Sequence, residues 1–349
     1  MQLLNLDDNS FIEEFVKLPE QVRSPAYLTG LNTPEQTKKL IKWGYLHHSS
    51  FWVFKDSKGV PVIRMSARPC PQKSEWGTIG FFEIDLQNKE ALEGFKNAMS
   101  IVVNWLKQKG ANEIIAPVDI NTWFNYRFSV GGKHFFPRHS WEPTNPPEYN
   151  NLFEKLGFKK FATYHSIFFP HVRIGPFCLG TTYMKKCYRK ITQAGFSLRS
   201  FDQKNFFQKD IPAIFEISHE AFEASLLFEP IDIETFSGLY ATSKNFDSSP
   251  SCVLLSPEGE IAGFLFAFFD GEYLVIKSLA IRKKYQGLKM SSGLIWYAVE
   301  KALKEKKKGT ISALVKTGIA SEKIEKNSKP LWFTRSHEYV LLKMGFEHE

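Results

Sequence analysis

The sequence predicts an α+β protein made of two tandem copies of one unit, each a mixed, mostly antiparallel sheet flanked by helices. Three observations carry this. The order of apolar segments between residues 51 and 118 recurs between 251 and 315. In each copy, three β-rich runs separated by turn residues precede a segment whose apolar positions fall at helical spacing. A short apolar run then follows each helix, as a crossover to a parallel strand requires.

The elements follow in order. Phe11 to Val22 and Pro34 to Trp43 read as helices. FWVFKDSKGVPVIRMSARP (51 to 69) reads as two strands around a Ser-Lys-Gly turn, and GTIGFFEID (77 to 85) as a third. From Lys89 to Lys109 the apolar residues Ala91, Leu92, Phe95, Ala98, Met99, Val102, Val103 and Leu106 make a helical stripe, and EIIAPV (113 to 118) is the crossover strand. The second copy offers helices at Ile211 to Ala224 and Ile233 to Ala241, then strands at 251 to 256, 260 to 269 and 272 to 281 with turns at Pro257-Glu258-Gly259 and Asp270-Gly271. Its helical stripe is Leu288, Leu294, Ile295, Ala298, Val299, Ala302 and Leu303, and 310 to 315 is its crossover strand. Pro and Gly punctuate HVRIGPFCLG (171 to 180) ahead of another helical segment, so the expected division is 1–175, a linker helix 176–195, and 196–349.

At 349 residues and 43% hydrophobic content the chain can bury a large core. No run of about 18 apolar residues occurs, and the start lacks a basic and apolar leader, so a cytoplasmic protein with no membrane partner is expected. Cys70, Cys178, Cys187 and Cys252 lack ligand or disulfide spacing, so no metal is expected and the thiols are read as free. A net charge of +8 suits an anionic partner, but much of it lies in short runs such as 304-KEKKK-308 and 282-RKK-284, and no nucleic-acid motif accompanies it. No nucleic acid is therefore expected; nothing here speaks to oligomeric state.

After the third strand of the second copy comes YQGLKMSSG, a Gly- and Ser-containing turn opening a helix. Backbone N–H groups at such a helix start can converge on phosphate oxygens. A plain helix start with Ser291 or Ser292 as cap is the bland alternative. The order of strands and helices together with this turn resembles the GCN5-related N-acetyltransferase (GNAT) superfamily. Its phosphate loop has Arg or Gln, two residues, Gly, one residue, then Gly or Ala. Those positions fall on Gln286, Lys289 and Ser291: the first matches, the last is small, and the middle one departs. Segments such as APVDINTWFNYRF (116 to 128), EPTNPPEYNNLFEKLGF (142 to 158) and SHEAFEASLLFEPIDIETFSGLYA (218 to 241) resemble tandem GNAT proteins of uncharacterised activity.

The resemblance implies acetyl-CoA as cofactor, transfer of an acetyl group to a small-molecule or peptide amine, and a cofactor site in the second copy. That site would use the backbone of Leu279, Ala280 and Ile281 and the turn Gln286, Gly287, Leu288, Lys289, Met290, Ser291 and Ser292. The matching stretch of the first copy, EIDLQNKEALEG (83 to 94), has no glycine turn, and Glu83 and Asp85 should repel phosphate, so its cofactor site is expected to be degenerate. Many members place a Glu in the middle of the third meander strand as base, whereas this chain has Val275, Ile276 and Lys277. Glu229 is the substitute candidate base, and Tyr339 the candidate proton donor to the leaving thiolate, each against the blander reading of a loop carboxylate and a strand residue. Trp123, Tyr126, Arg127, Phe135, Phe136, Trp141 and Tyr149 form an aromatic group in an aperiodic stretch, either packed under a loop or lining an interdomain pocket with Asn121 and Thr122. The alternative function is a non-catalytic protein that keeps the scaffold and still binds CoA. A peptidoglycan-type aminoacyltransferase, which also pairs two such units, is a third.

Overall fold

The computed structural model describes residues 2–3, 8–28, 33–131, 136, 138–172, 176–202, 204–241, 247–287, 289–318 and 335–346. The first copy comprises β1 (Gln2–Leu3), α1 (Asn9–Val22), α2 (Pro34–Leu46), β2 (Ser50–Lys55), β3 (Pro61–Pro69), β4 (Trp76–Ile84), α3 (Lys89–Gln108), β5 (Glu113–Ala116), β6 (Phe128–Ser129), α4 (Glu148–Lys155) and β7 (Lys159–Pro170). The connecting helix α5 (Pro176–Gln193) leads to β8 (Ser197–Ser200), α6 (Ile211–Phe222), α7 (Ile233–Ala241), β9 (Cys252–Leu255), β10 (Ile261–Asp270), β11 (Tyr273–Ile281), α8 (Met290–Lys304), β12 (Gly309–Lys316) and β13 (Arg335–Gly345). Both meanders, both long helices and both crossover strands stand where periodicity puts them.

Local chemistry fixes the ends. Asp8, Thr33 and Asn88 cap α1, α2 and α3 by accepting from Phe11, Gln36 and Ala91 N–H groups. The apolar stripe of α3, from Ala91 to Leu106, is buried against β2 to β5 together with Tyr149 and Phe153 of α4. On the other face α1 and α2 cover Phe51, Val53 and Phe81. In the second copy α6 and α7 cover Phe264, Phe266 and Phe268, while α5 and α8 cover the opposite face. Trp43 of α2 packs against both the α1–α2 and α6–α7 clusters, so the two helix pairs share one side of the sheet.

The two copies form one continuous sheet, in the order β1-β2-β3-β4-β5-β13-β7-β12-β11-β10-β9-β8, with β6 paired to β13. The chain's last strand thus lies between β5 and β7 of the first copy, antiparallel to both, instead of beside its own β12. In turn β7 bridges the copies by pairing with β12. Strand exchange of this kind removes two sheet edges at once. Among the described residues no helix is long and apolar enough to cross a membrane, and no group of three His, Cys, Asp or Glu is placed to hold a metal ion. Cys70, Cys187 and Cys252 are buried free thiols.

Candidate active site

The sheet opens at one place in the second copy. β11 pairs parallel with β12 from Tyr273↔Gly309 to Ile276↔Ser312 and no further, although both strands continue. Each strand is bent there. The β10–β11 register jumps from Phe266↔Ser278 to Ala267↔Ile276, leaving Lys277 without a partner on β10. β12 bulges toward β7 at Ala313 and Leu314, where Leu314 takes a left-handed φ of 57°. Ile276 to Leu279 remain half-exposed, so the gap between the diverging strands offers β11's backbone groups to whatever enters.

Leu279, Ala280 and Ile281 lie along this gap and lead into the turn before α8. Gln286 folds back to donate from Nε2 to the Ile281 carbonyl (3.2 Å). Gly287 has φ 97° with open space where a Cβ would stand, so the turn uses its conformational freedom rather than its small size. Lys289 is left-handed too, φ 59°, and α8 starts there with no capping side chain on its first-turn N–H groups. Met290 is buried, Ser291 and Ser292 are half-buried, and Leu288 lies outside the described residues. Gly293 is required by packing instead: a Cβ would fall 2.5 Å from Cδ1 of Ile191, on α5. The Lys289 ammonium stands 5.4 Å from the ring centre of Tyr183, whose hydroxyl raises its pKa. The other cations here are matched by carboxylates, Arg282 by Glu216 and Glu260, Lys283 by Glu223, and Lys284 by Glu260.

The equivalent opening in the first copy is filled by its own chain. β4 and β5 pair only to Thr78↔Ile115. Beyond that point Val118 N–H donates to the Ile79 carbonyl (2.8 Å), and Asp119 Oδ1 accepts from Phe81 N–H (2.5 Å). A Cβ on Gly80 would lie 2.0 Å from the Val118 carbonyl oxygen, so glycine is what permits the plug. Burial raises the Asp119 carboxyl to about 6. Glu83, expected to repel an anion, is already neutralised: both its oxygens accept from Arg23 at 2.6 Å, and Arg64 lies 3.5 Å away. A carboxylate that deep would be costly unpaired, and the two arginines compensate it.

Between the copies, Glu229 on the α6–α7 loop meets Arg68 of β3. Arg68 donates to both carboxylate oxygens at 2.5 and 2.7 Å. Asn121 Nδ2 donates to Glu229 Oε2 (3.4 Å), Trp123 Nε1 to the Glu229 carbonyl (2.6 Å), and Thr122 Oγ1 to the Leu227 carbonyl (3.2 Å). Asn121, Thr122 and Trp123 of the first copy therefore hold the α6–α7 loop of the second. Arg127 is buried, with φ 78°, and its guanidinium lies 3.8 Å and 4.2 Å from the ring centres of Tyr126 and Tyr164. It also reaches the Leu314 carbonyl (3.4 Å), at the lip of the gap.

The aromatic group divides. Phe136 and Trp141 pack on the second copy's β10 to β12 face, Tyr149 on the opposite side under α3, and Phe135 lies outside the described residues. Beneath Phe136 and Trp141 is a buried polar cluster that no local sequence pattern brings together. His337 Nδ1 meets Glu142 Oε2 at 3.2 Å, and His139 Nε2 stands 3.8 Å from Glu142 Oε1. Tyr339, entirely buried, and Ser166 also face Glu142. Against its burial, the His337 contact first, and then His139 where acid charges it, hold the Glu142 carboxyl down at about 2, and burial lowers His139 to about 4, leaving it neutral near pH 7. Burial and then Glu142 push the Tyr339 hydroxyl far above its ordinary value. Its members come from three segments 24 to 200 residues apart in sequence, which periodicity cannot join.

Residues 211–320 match the model of the Acetyltransferase (GNAT) family. No curated protein matches the sequence. Among solved structures, a tandem GNAT protein from the clavulanic acid biosynthesis pathway is 11% identical with a TM-score of 0.50, over 99% of this chain and 98% of its own. A conserved Enterococcus faecalis protein, described as a probable N-acyltransferase, is 10% identical with a TM-score of 0.54, over 97% of this chain and 70% of its own. A GCN5-related N-acetyltransferase from Kribbella flavida is 10% identical with a TM-score of 0.52, over 99% and 71%. The chain has the tandem GNAT fold, and its second copy is the one matched by the family model.

Proposed function

We propose that this tandem GNAT-fold chain is an N-acyltransferase that takes acetyl-CoA, with the reaction in the second copy and the first copy enclosing the acceptor amine. The observation that carries the reading is the contrast between the two openings: the β11–β12 gap is open and the β4–β5 gap is plugged by Val118 and Asp119. The residues fit the cofactor. The Leu279 and Ile281 N–H groups, which face the gap, suit a pantetheine arm and thioester, and the uncapped first turn of α8 suits a pyrophosphate.

Acetyl-CoA, when bound, supplies an activated acyl carbonyl. The chain's part is orientation and charge stabilisation. Only alternate N–H groups of β11 turn into the gap: with Arg282 N–H donating to the Ala262 carbonyl, the Ala280 N–H faces β10, while those of Leu279 and Ile281, unable to pair with β12, would donate to an oxygen gaining negative charge. Gln286, Gly287, Lys289, Met290, Ser291 and Ser292 would anchor the phosphates. Asn121, Thr122 and Trp123 would position the 227–229 loop, and Tyr126 and Arg127 the acceptor end of the gap.

Glu229 then acts as a strut rather than a base, since Arg68 occupies both its oxygens. Tyr339 releases its proton less readily than a free tyrosine, so its role is to fix Glu142 rather than to protonate a thiolate. A second reading, CoA binding without turnover, is favoured by one observation: Lys277 stands where a carboxylate base would be expected. Titration of CoA followed by thiol release from acetyl-CoA against a panel of amines, amino acids and peptides tests both. No CoA binding by folded protein removes the proposal, and binding without turnover on any acceptor leaves the second reading.

A further inference from the structure

Arg127 and Lys277 stand on the two sides of the β11–β12 gap. Lys277 is the bulged residue of β11, half-buried, and Arg127 reaches across to Leu314, the bulged residue of β12. Neither has a carboxylate partner among the described residues. Arg127 is 7% exposed, its Nε has no hydrogen-bond partner, and its Nη1 donates to a carbonyl, that of Leu314. The Tyr126 and Tyr164 rings shield the guanidinium without neutralising it. Burial and the nearby Arg127 charge lower the Lys277 ammonium to about 8.

Every other deeply placed arginine described above is matched: Arg23 and Arg64 share Glu83, and Arg68 holds Glu229. Two neighbouring cations left uncompensated in a site of low polarity are unfavourable until an anion arrives. The acidic groups of the surroundings are already spent, Glu142 on His337 and His139, and Asp270 on the backbone and hydroxyl of Ser140. The anion must therefore be brought by a ligand. It is not a CoA phosphate, because the phosphate-compatible turn lies at the far end of the gap, beyond Ile281.

We infer that the acceptor amine carries a carboxylate, as an amino acid or a peptide C-terminus does, and that Arg127 and Lys277 bind it from the two sides of the gap. This rests on the acyl-transfer reading for the identity of the ligand, not for the site itself. A carboxylate so held would place the acceptor's amine toward the open backbone of β11, and a guanidinium with an ammonium gives charge-assisted bonds to both oxygens.

The test is site-specific protection. Lys277 is labelled by reductive methylation and quantified by mass spectrometry, with N-acetylglycine as the probe and N-acetylglycinamide and N-succinylglycinamide as controls. N-acetylglycine at saturation should slow labelling of Lys277 by about tenfold while the two controls leave it unchanged. Arg127→Gln should abolish the protection, and the acid-against-amide comparison in the unaltered protein decides the matter even if that variant does not fold. Equal protection by acid and amide, or none by either, overturns the inference. Protection by N-succinylglycinamide alone overturns it as well, because it assigns the carboxylate to the acyl chain. CoA titration of the same sample separates the two proposals: CoA binding with no protection sinks only the carboxylate site, whereas protection without CoA binding keeps that site and sinks the acyl-CoA reading.

Discussion

Arg68 and Glu229 tie the two copies together through a buried, bidentate ion pair at 2.5 and 2.7 Å, 161 residues apart in sequence. Breaking such a pair from one side leaves an unpaired buried charge, which costs about 3 to 5 kcal/mol. Arg68→Ala should therefore lower the melting temperature sharply. Glu229→Gln keeps the shape and the contact of Asn121, so it should destabilise less and leave acyl transfer within a few-fold of the unaltered protein. A loss of turnover of a thousandfold or more in folded Glu229→Gln would restore Glu229 as a base.

Asp119 makes stability depend on acidity in a direction opposite to most carboxylates. Its folded value of about 6 lies above the ordinary 3.8, so the folded state holds the proton more tightly. Its contribution is present below about pH 4 and lost as pH rises through 6, a difference of roughly 3 kcal/mol. Glu142, held at about 2 against an ordinary 4.5, contributes in the usual sense, with stability lost as pH falls through 2. Comparing Asp119→Asn with the unaltered protein in urea at pH 4 and pH 7 isolates the first effect. The variant should lose less stability than the parent on going from pH 4 to 7, and identical slopes would exclude the assignment.

CoA should protect the two copies unequally. Amide exchange at Leu279, Ile281 and 290–294 should slow on binding, because those N–H groups face the open gap or lie in the first turns of α8. The matching segments 79–84 and 89–94 should not respond, since Val118 and Asp119 fill the first gap and Asn88 caps α3. Equal protection in both copies contradicts the reading.

The turn before α8 can be tested by two substitutions. Ser291→Glu sets a carboxylate in the first turn of α8, where it suits the helix dipole but opposes phosphate, so CoA affinity should fall by about tenfold or more with little change in melting temperature. Lys289→Gly removes a side chain from a left-handed position at φ 59°, which should relieve about 1 kcal/mol of backbone strain. CoA binding by this variant, measured by calorimetry across a salt series, reads the lysine's charge: weaker binding whose deficit shrinks with salt means the ammonium assists the phosphates, and tighter binding means it obstructs them.

Periodicity alone decides the two meanders, their helices and the crossover strands, because a period of two or of 3.6 residues is a local property of the chain. The turn at 286–293 was legible for the same reason, as a run of small residues opening an apolar stripe. Its details were not: Gly287 serves φ, Gly293 serves contact with Ile191, and only neighbours in space distinguish the two. The placement of β13 between β5 and β7, the plug formed by Asp119 on Phe81, the Arg68–Glu229 pair and the Arg127–Lys277 facing across the gap were all decided by tertiary structure. Each joins residues from distant segments. Whether a Glu is a base or a strut, and whether an anion site is open or filled, depends on which side chain the fold brings within about 3 Å of it, and no local pattern encodes that distance.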